Sequence, residues 1–403
     1  MGNTGDSKLN KMYRKVRKLG SKAYKFHMLR HVYPKLYHDN AMKPIDKKKA
    51  VFVEVREKEL SSNFRYIYDI LKGKGYKVSV HFLHMSFVGR REYEKYCKEM
   101  IKDIADAKYV FLDEASDVFA ALPIRRKTVV TQLWHACGAF KKFGKSISDK
   151  KFGEDAKTLE KYPFHGNYTH MTVSSPEVVW AYEEAMGLEG KGIVKPVGIP
   201  RTDYFYDEKA SEEAYSHLYG TFPEAKGKKV LLYAPTFRGH VSTAETPEEI
   251  DVARFKAELG DKYVMLFKLH PFVKTRTAIP EECRDFARDV TDDFEIEELL
   301  LVSDVCISDY SSLVFEYSLL ERPMLFYAYD LDSYIDWRGF YYPYDEFVPG
   351  RICRNEEELL TGIRELEEFF DIEKVKNFKE KFMASCDGHA TEKVLNMVLG
   401  DRI

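Results

Sequence analysis

From residue 50 onward, short apolar runs alternate with amphipathic helical stretches, and this constrains the fold more than any other feature. Ala50–Val55, Val78–Leu83, Tyr109–Leu112, Thr128–Trp134 and Met171–Ser174 read as strands. Between them, residues 61–72 and 91–107 carry helical periodicity, and Ser175 with Pro176 opens a further helix running to about Met186. After about residue 210 the pattern restarts. Lys229–Ala234, Tyr263–Leu269, Val305–Ser308 and Met324–Tyr327 are strand candidates, interleaved with helices over 247–259, 294–302 and 312–321. The remainder, 355–399, is mostly helical. Strands that alternate with helices form parallel sheets covered on both faces. Two such halves fit 403 residues. The seam falls in Gly198–Tyr206, and two Rossmann-like halves facing each other would place a ligand in a cleft at the carboxyl ends of their strands.

The net charge of −2 conceals an asymmetry. Residues 1–49 carry fourteen Lys and Arg against three Asp, a net of +11, so the other 354 residues sum to −13. Within that head, Leu9, Met12, Tyr13, Val16, Leu19, Ala23, Tyr24 and Phe26 recur at three- and four-residue steps, and seven Lys and Arg fill the other face. This spacing predicts a basic amphipathic helix, which Pro34 ends or kinks. Such a helix can lie in the headgroup layer of an anionic membrane, or pack its stripe on the body of the protein. Nucleic acid is not the expected partner. The six cysteines are scattered without a CxxC pair, which fits reduced thiols of a cytosolic chain. No apolar run reaches the ~18–20 residues of a transmembrane helix, and the start lacks a signal peptide. Gly2 is followed by Asp6 where a myristoylation signal wants Ser or Thr.

Polar residues gather where strands end. His135, in Trp134-His135-Ala136-Cys137-Gly138, follows an apolar strand, and an imidazole titrating near ~6.5 suits a general base. A buried structural histidine is the plain alternative. Gly138 and Gly144 permit unusual backbone angles. Ala234-Pro235-Thr236-Phe237-Arg238-Gly239 ends a strand, and its Arg238 could grip a diphosphate in bidentate fashion. Lys268 and His270, in Phe267-Lys268-Leu269-His270-Pro271, alternate to one side of their strand and suggest two cations aimed at one anion. Ile307 to Glu316 reads as a strand, a tight turn with Asp309, and a helix start at Ser311 and Ser312, whose N–H groups and dipole would suit a phosphate.

The absences narrow the chemistry. No GxGxxG follows a strand, and there is no GxxxxGK[ST] or HExxH, so NAD, P-loop ATP and zincin chemistry lose support. Asp330-Leu331-Asp332 resembles a metal-binding DxD, but such pairs are common at strand ends, and no His/Cys cluster has zinc spacing. Neither a cofactor nor a metal is expected.

Taken in order, WHxxGxxKKFG, APTFRG, KLHPF, SDYSSxxFEYxLLxRPMLFYxYD and RGFYYPYDEFVPG resemble the CDP-glycerol glycerophosphotransferases of teichoic acid synthesis, over about residues 128–350. The pieces are unspecific alone and specific together. Some members of that family carry WHGT where this chain has Trp134-His135-Ala136-Cys137. The resemblance implies an α/β, GT-B-like fold: residues 50–206 as an acceptor domain, residues 207–403 as a CDP-alcohol donor domain, and residues 1–49 as a membrane-association segment. It also implies peripheral attachment at the cytoplasmic face of the cell membrane. There, a hydroxyl of a polyprenyl-diphosphate-linked acceptor would attack the β-phosphorus of CDP-glycerol and release CMP. His135 is the expected base, with Asp309 a rival, and His270 the third catalytic residue. Thr236, Arg238, Lys268, Ser311 and Ser312 would hold the donor, and Arg338 and Gly339 would line its pocket. The rival readings are a CDP-ribitol ribitolphosphotransferase, a GT-B sugar-nucleotide glycosyltransferase, and a non-catalytic membrane partner.

Overall fold

The structure is a computed structural model that describes residues 20–85, 87–148, 156–239, 244–247, 250–337 and 339–400. It is built on two six-stranded sheets. The first holds β1 (Asp46–Glu54), β2 (Lys77–Phe82), β3 (Ala107–Leu112), β4 (Val129–Gln132), β5 (His170–Thr172) and β6 (Val194–Lys195) in the order β2-β1-β3-β4-β5-β6. The second holds β7 (Lys229–Tyr233), β8 (Tyr263–Phe267), β9 (Ala287–Asp289), β10 (Val305–Ser308), β11 (Met324–Tyr327) and β12 (Arg351–Cys353) in the order β12-β11-β10-β7-β8-β9. The pairings of β1 with β2 and β3, and of β7 with β8 and β10, are parallel. The second order is that of a dinucleotide-binding sheet, and the first begins as flavodoxin-like sheets do. Both orders reverse at one point: between β1 and β3 in the first sheet, and between β7 and β10 in the second.

By its internal packing the chain divides into two compact units, Met1–Trp134 with Lys157–Met171, and His135–Ala156 with Thr172–Ile403.

In the first unit, Phe52 is fully buried and stacks on Phe111 of the neighbouring strand at 4.8 Å between ring centres. Such a pair adds about 0.5–1.5 kcal/mol beyond its buried area. The helix Ser62–Gly73 covers this strand with Phe64, Ile67 and Leu71, spaced three and four apart. The polypeptide before β1 belongs to this unit. Residues 20–27 are helical and exposed, with Lys25 pairing with Asp117 at 2.5 Å and the Tyr24 hydroxyl donating to Glu94 at 2.9 Å. Tyr33 and Tyr37 are buried, and Tyr37 accepts the backbone N–H of Arg125. The larger part of the basic periodic segment, residues 1–19, lies outside the described residues.

Of the two effects expected at Pro34, an end or a kink, the helix does not end. The Tyr33–Asn40 helix continues through it, and the preceding turn, Met28–Val32, is π-helical. Proline's ring clashes with the carbonyl four residues back, here Arg30, and a wider turn at that point relieves the clash.

In the second unit, β7, β8, β10 and β11 read as apolar runs because both sheet faces are buried. The helix Val252–Leu259 buries Val252, Phe255 and Leu259, and Asp251 caps it by accepting from Arg254 N–H at 3.1 Å. Among the elements that escaped the sequence are the helix Glu208–Thr221 and the three-residue edge strands β9 and β12. The edge strands are too short, and too charged, for a period-two signal to register.

Candidate active site

The second sheet presents its chemistry at the β7/β10 reversal, where doubly wound sheets hold ligands. Asp309 follows β10 and is 1% exposed. Its Oδ1 accepts the backbone N–H of Thr236 at 2.8 Å and of Tyr310 at 2.6 Å. Its Oδ2 accepts the Thr236 hydroxyl at 2.9 Å and pairs with Arg238 at 2.9 Å. Four donors therefore occupy this carboxylate, which leaves it badly placed as a base. It fastens the Thr236 turn after β7 to the turn after β10.

Arg238 departs from the expectation that its fork takes a diphosphate. The fork is spent on Asp330, with Nε 2.6 Å from Oδ2 and Nη2 2.9 Å from Oδ1. Its Nη1 donates to the Thr236 carbonyl at 2.7 Å. The rings of Tyr310, Tyr329 and Tyr334 surround the guanidinium at 5.2, 5.4 and 5.5 Å. The same geometry explains the Asp330-Leu331-Asp332 motif. Asp330 is already engaged by Arg238 and by the Tyr310 hydroxyl at 2.8 Å. Among the described residues no cluster of three or more His, Cys, Asp or Glu could hold a metal.

Lys268 and His270 do not converge as two cations. The Lys268 ammonium donates to the carbonyls of Thr291, at 2.8 Å, and Phe294, and burial pulls its pKa down. His270 lies among Phe237 and Phe272, with ring centres at 4.8 and 4.6 Å. Burial, with the Lys141 charge, lowers its pKa to about 4, so it is neutral near pH 7. Its Nδ1 accepts the Phe272 N–H at 3.2 Å, which assigns the ring proton to Nε2. His270 is thus a neutral hydrogen-bond donor.

His135 is exposed. Trp134 before it adopts φ +62°, a left-handed conformation that a bulky residue rarely takes. The following loop is pinned by side chains of the second unit. Arg201 Nη1 donates to the His135 carbonyl at 2.8 Å. The Tyr182 hydroxyl reaches the carbonyls of Ala136 and Gly138 at 3.0 and 2.9 Å, and Gly138 N–H donates to Ser174 Oγ at 3.0 Å. Gly138 and Gly144 both have positive φ, as expected, at +62° and +56°. A Cβ on Gly138 would come within 2.2 Å of the Phe315 ring. Further along, Lys141 bridges to Phe340, Lys142 N–H donates to the Gly339 carbonyl at 3.1 Å, and Tyr341 N–H donates to the Phe140 carbonyl at 3.0 Å. The structure therefore brings together the WHxxGxxKK and RGFYY motifs through the backbone. Arg338 itself lies outside the described residues.

Ser311 and Ser312 are half-buried at the start of a helix of only six residues, Leu313–Ser318. Ser312 makes no side-chain cap there, and Ser311 Oγ accepts Leu313 N–H at 3.4 Å. One short helix supplies a weaker dipole than the expected ten residues would.

Sequence reasoning passed over Arg201, Glu316 as its partner, and Lys141. It also passed over a carboxyl pair in the first unit. Glu54 ends β1 and Asp113 follows β3, at that sheet's own reversal point, and both are buried. Burial pushes both pKa values up, and for Asp113 the Glu54 charge adds to the rise. Glu54 read as the tail of an apolar strand and Asp113 as a loop residue. Only the strand order makes them neighbours.

The two sheets make this an α/β chain, and its relatives place it among the transferases of teichoic acid biosynthesis. The chain belongs to the CDP-Glycerol:Poly(glycerophosphate) glycerophosphotransferase family, which it matches over residues 35–400. It is 38% identical over 366 residues to the teichoic acid ribitol-phosphate primase of Bacillus spizizenii, spanning 89% of this chain and 92% of that protein. It is 37% identical over 358 residues to the teichoic acid poly(ribitol-phosphate) polymerase of the same organism, spanning 88% of this chain but only 57% of the polymerase. The teichoic acid glycerol-phosphate primase of Bacillus subtilis is 32% identical over 296 residues, spanning 73% of this chain and 74% of the primase. In fold the chain is similar to the wall teichoic acid polymerase TagF soaked with CDPG, with a TM-score of 0.76, 23% identity and 98% of both chains covered.

Proposed function

We propose that this protein transfers a polyol phosphate from a CDP-alcohol to a hydroxyl of a polyprenyl-linked teichoic acid acceptor, and that the alcohol is ribitol. Identity to relatives carries the choice of ribitol: 38% and 37% to proteins named for ribitol phosphate, against 32% to one named for glycerol phosphate. This reverses the order in which the motifs placed the two donors. CDP-glycerol stands as the second reading, favoured by the description of the family.

In this reading the acceptor hydroxyl oxygen attacks the β-phosphorus. A new P–O bond forms as the bond to the bridging oxygen breaks, and CMP leaves. His135, exposed on its pinned loop, takes the hydroxyl proton. The Nε2–H of His270 donates to the diphosphate, and the nearby Lys141 supplies the positive charge that His270 lacks. Thr236, Ser311, Ser312 and Gly339 line the donor side in this reading. Asp309, Arg238 and Lys268 act at one remove, by fixing the turns that carry these groups. The basic residues of segment 1–49 hold the enzyme peripherally on the cytoplasmic face of an anionic membrane, beside its lipid-linked acceptor.

A screen of CDP-ribitol and CDP-glycerol with a synthetic polyprenyl-linked acceptor, reading CMP release, tests the donor. Faster turnover of CDP-glycerol would reverse the assignment, and turnover of sugar nucleotides alone would overturn the class of donor. Loss of CMP release in both His135→Ala and His270→Ala is expected. For the membrane contact, the informative truncation removes residues 1–19, because Tyr33 and Tyr37 are core residues of the first unit. That variant should lose salt-sensitive sedimentation with anionic liposomes; unchanged sedimentation would remove the membrane role from this segment.

A further inference from the structure

We infer that Arg201 is a positioning residue that holds the His135 peptide in register with the donor-side turn, an inference that rests on the reading of His135 as the base. Arg201 sits in the short helix Pro200–Tyr206, and its side chain is 15% exposed. One arm, Nη1, donates to the His135 carbonyl at 2.8 Å. The other arm, Nη2, pairs with Oε1 of Glu316, whose side chain is 7% exposed. Glu316 lies in Leu313–Ser318, the helix that directly follows the turn bearing Asp309, Ser311 and Ser312. A planar guanidinium fork is therefore stretched between the loop that presents the imidazole and the element that presents the donor-side hydroxyls. Lysine could keep the charge pair with Glu316, but a single ammonium cannot serve both arms with the same geometry.

Other contacts hold neighbouring parts of the loop. Tyr182 binds the carbonyls of Ala136 and Gly138, and Ser174 binds the Gly138 N–H. None of these reaches the peptide of His135 itself. Loss of Arg201 removes the hydrogen bond to the His135 carbonyl, and with it the restraint that this fork places on the direction of the imidazole. A displacement of about 1 Å in a reacting group can lower a rate by about 100-fold.

The test compares Arg201→Lys with the unaltered chain, using CDP-ribitol and CDP-glycerol with a synthetic polyprenyl-linked acceptor. Arg201→Lys should lower kcat by about 10- to 100-fold and leave the donor KM within about twofold, with an unchanged thermal transition as the control on folding. In a His135→Ala background the same substitution should leave the residual rate nearly unaltered, because a residue acting through His135 has nothing left to position. Glu316→Gln, which keeps an oxygen acceptor for the second arm, should recover more activity than Glu316→Ala. A wild-type kcat in Arg201→Lys overturns the inference. So does an equal loss in the His135→Ala background, which would mean that Arg201 acts elsewhere. Wild-type turnover in His135→Ala alone would instead refute the base assignment, so the two failures are separable.

Discussion

Replacing Arg238 by methionine should unfold the second unit more readily rather than merely weaken donor binding. The side chain makes two contacts to Asp330, at 2.6 and 2.9 Å, two to Thr236, at 2.7 and 3.0 Å, and one to Asp309, at 2.9 Å. Methionine fills similar space but leaves two carboxylates facing each other's surroundings without a cation. The Asp309 side chain is 2% exposed and cannot be relieved by water, whereas Asp330, at 20%, can be in part. Breaking a buried ion pair from one side costs about 3–5 kcal/mol, and the partial exposure of Asp330 argues for the lower end, about 3 kcal/mol. In a unit of this size that corresponds to a fall of about 6–12 °C in Tm. Thermal and urea unfolding of Arg238→Met, with calorimetric titration of CDP-ribitol, measures both quantities. A wild-type Tm combined with loss of donor binding would refute the reasoning and return Arg238 to the diphosphate.

Four further outcomes follow from the structure. With its pKa lowered to about 4, His270 stays neutral while an unfolded histidine takes up a proton. It therefore subtracts stability as pH falls from about 6.5 towards 4, and melts of His270→Gln should lack that loss over this window. For the same reason, any acid limb of kcat/KM above pH 5 should keep its midpoint in His270→Gln, even as the rate falls; a shifted midpoint would assign the limb to His270. The raised carboxyls of Glu54 and Asp113 work in the opposite sense. Raised carboxyl values mean that the folded state holds the proton more tightly, so this contribution is complete at low pH and is lost as pH rises through the folded value. Asp113→Asn, which removes one of the two raised carboxyls, should flatten that decline with rising pH in unfolding experiments; an unchanged slope would place its source elsewhere. Finally, Gly138→Ala should cost about 2 kcal/mol or more in stability, because its Cβ would enter the Phe315 ring at a φ of +62°. Denaturant melts equal to wild type would show that the loop can move aside.

Much of the fold was legible because parallel strands buried on both faces must be apolar along their whole length. β7, β8, β10 and β11 stood out for that reason. The order of the motifs along the chain likewise carried the family. Local pattern is a property of the sequence, because period and capping depend on residues within a few positions of one another.

What a charged side chain does depends instead on partners far along the chain, and tertiary structure alone decided that. Arg238 and Asp330 are 92 residues apart, Thr236 and Asp309 are 73 apart, and Arg201 and Glu316 are 115 apart. A free arginine at a strand end suits a diphosphate, but once the strand order brings Asp330 to its fork the same side chain becomes a brace. Burial then completed the assignment that composition could not make. The same imidazole chemistry, placed among Phe237 and Phe272, gives a neutral donor at His270, while at His135 it stands exposed on a loop held by its backbone. The sequence determined which chemical groups would stand at the strand ends. The low dielectric and the long-range partners of the folded chain determined which of them stand exposed and which hold the others in place.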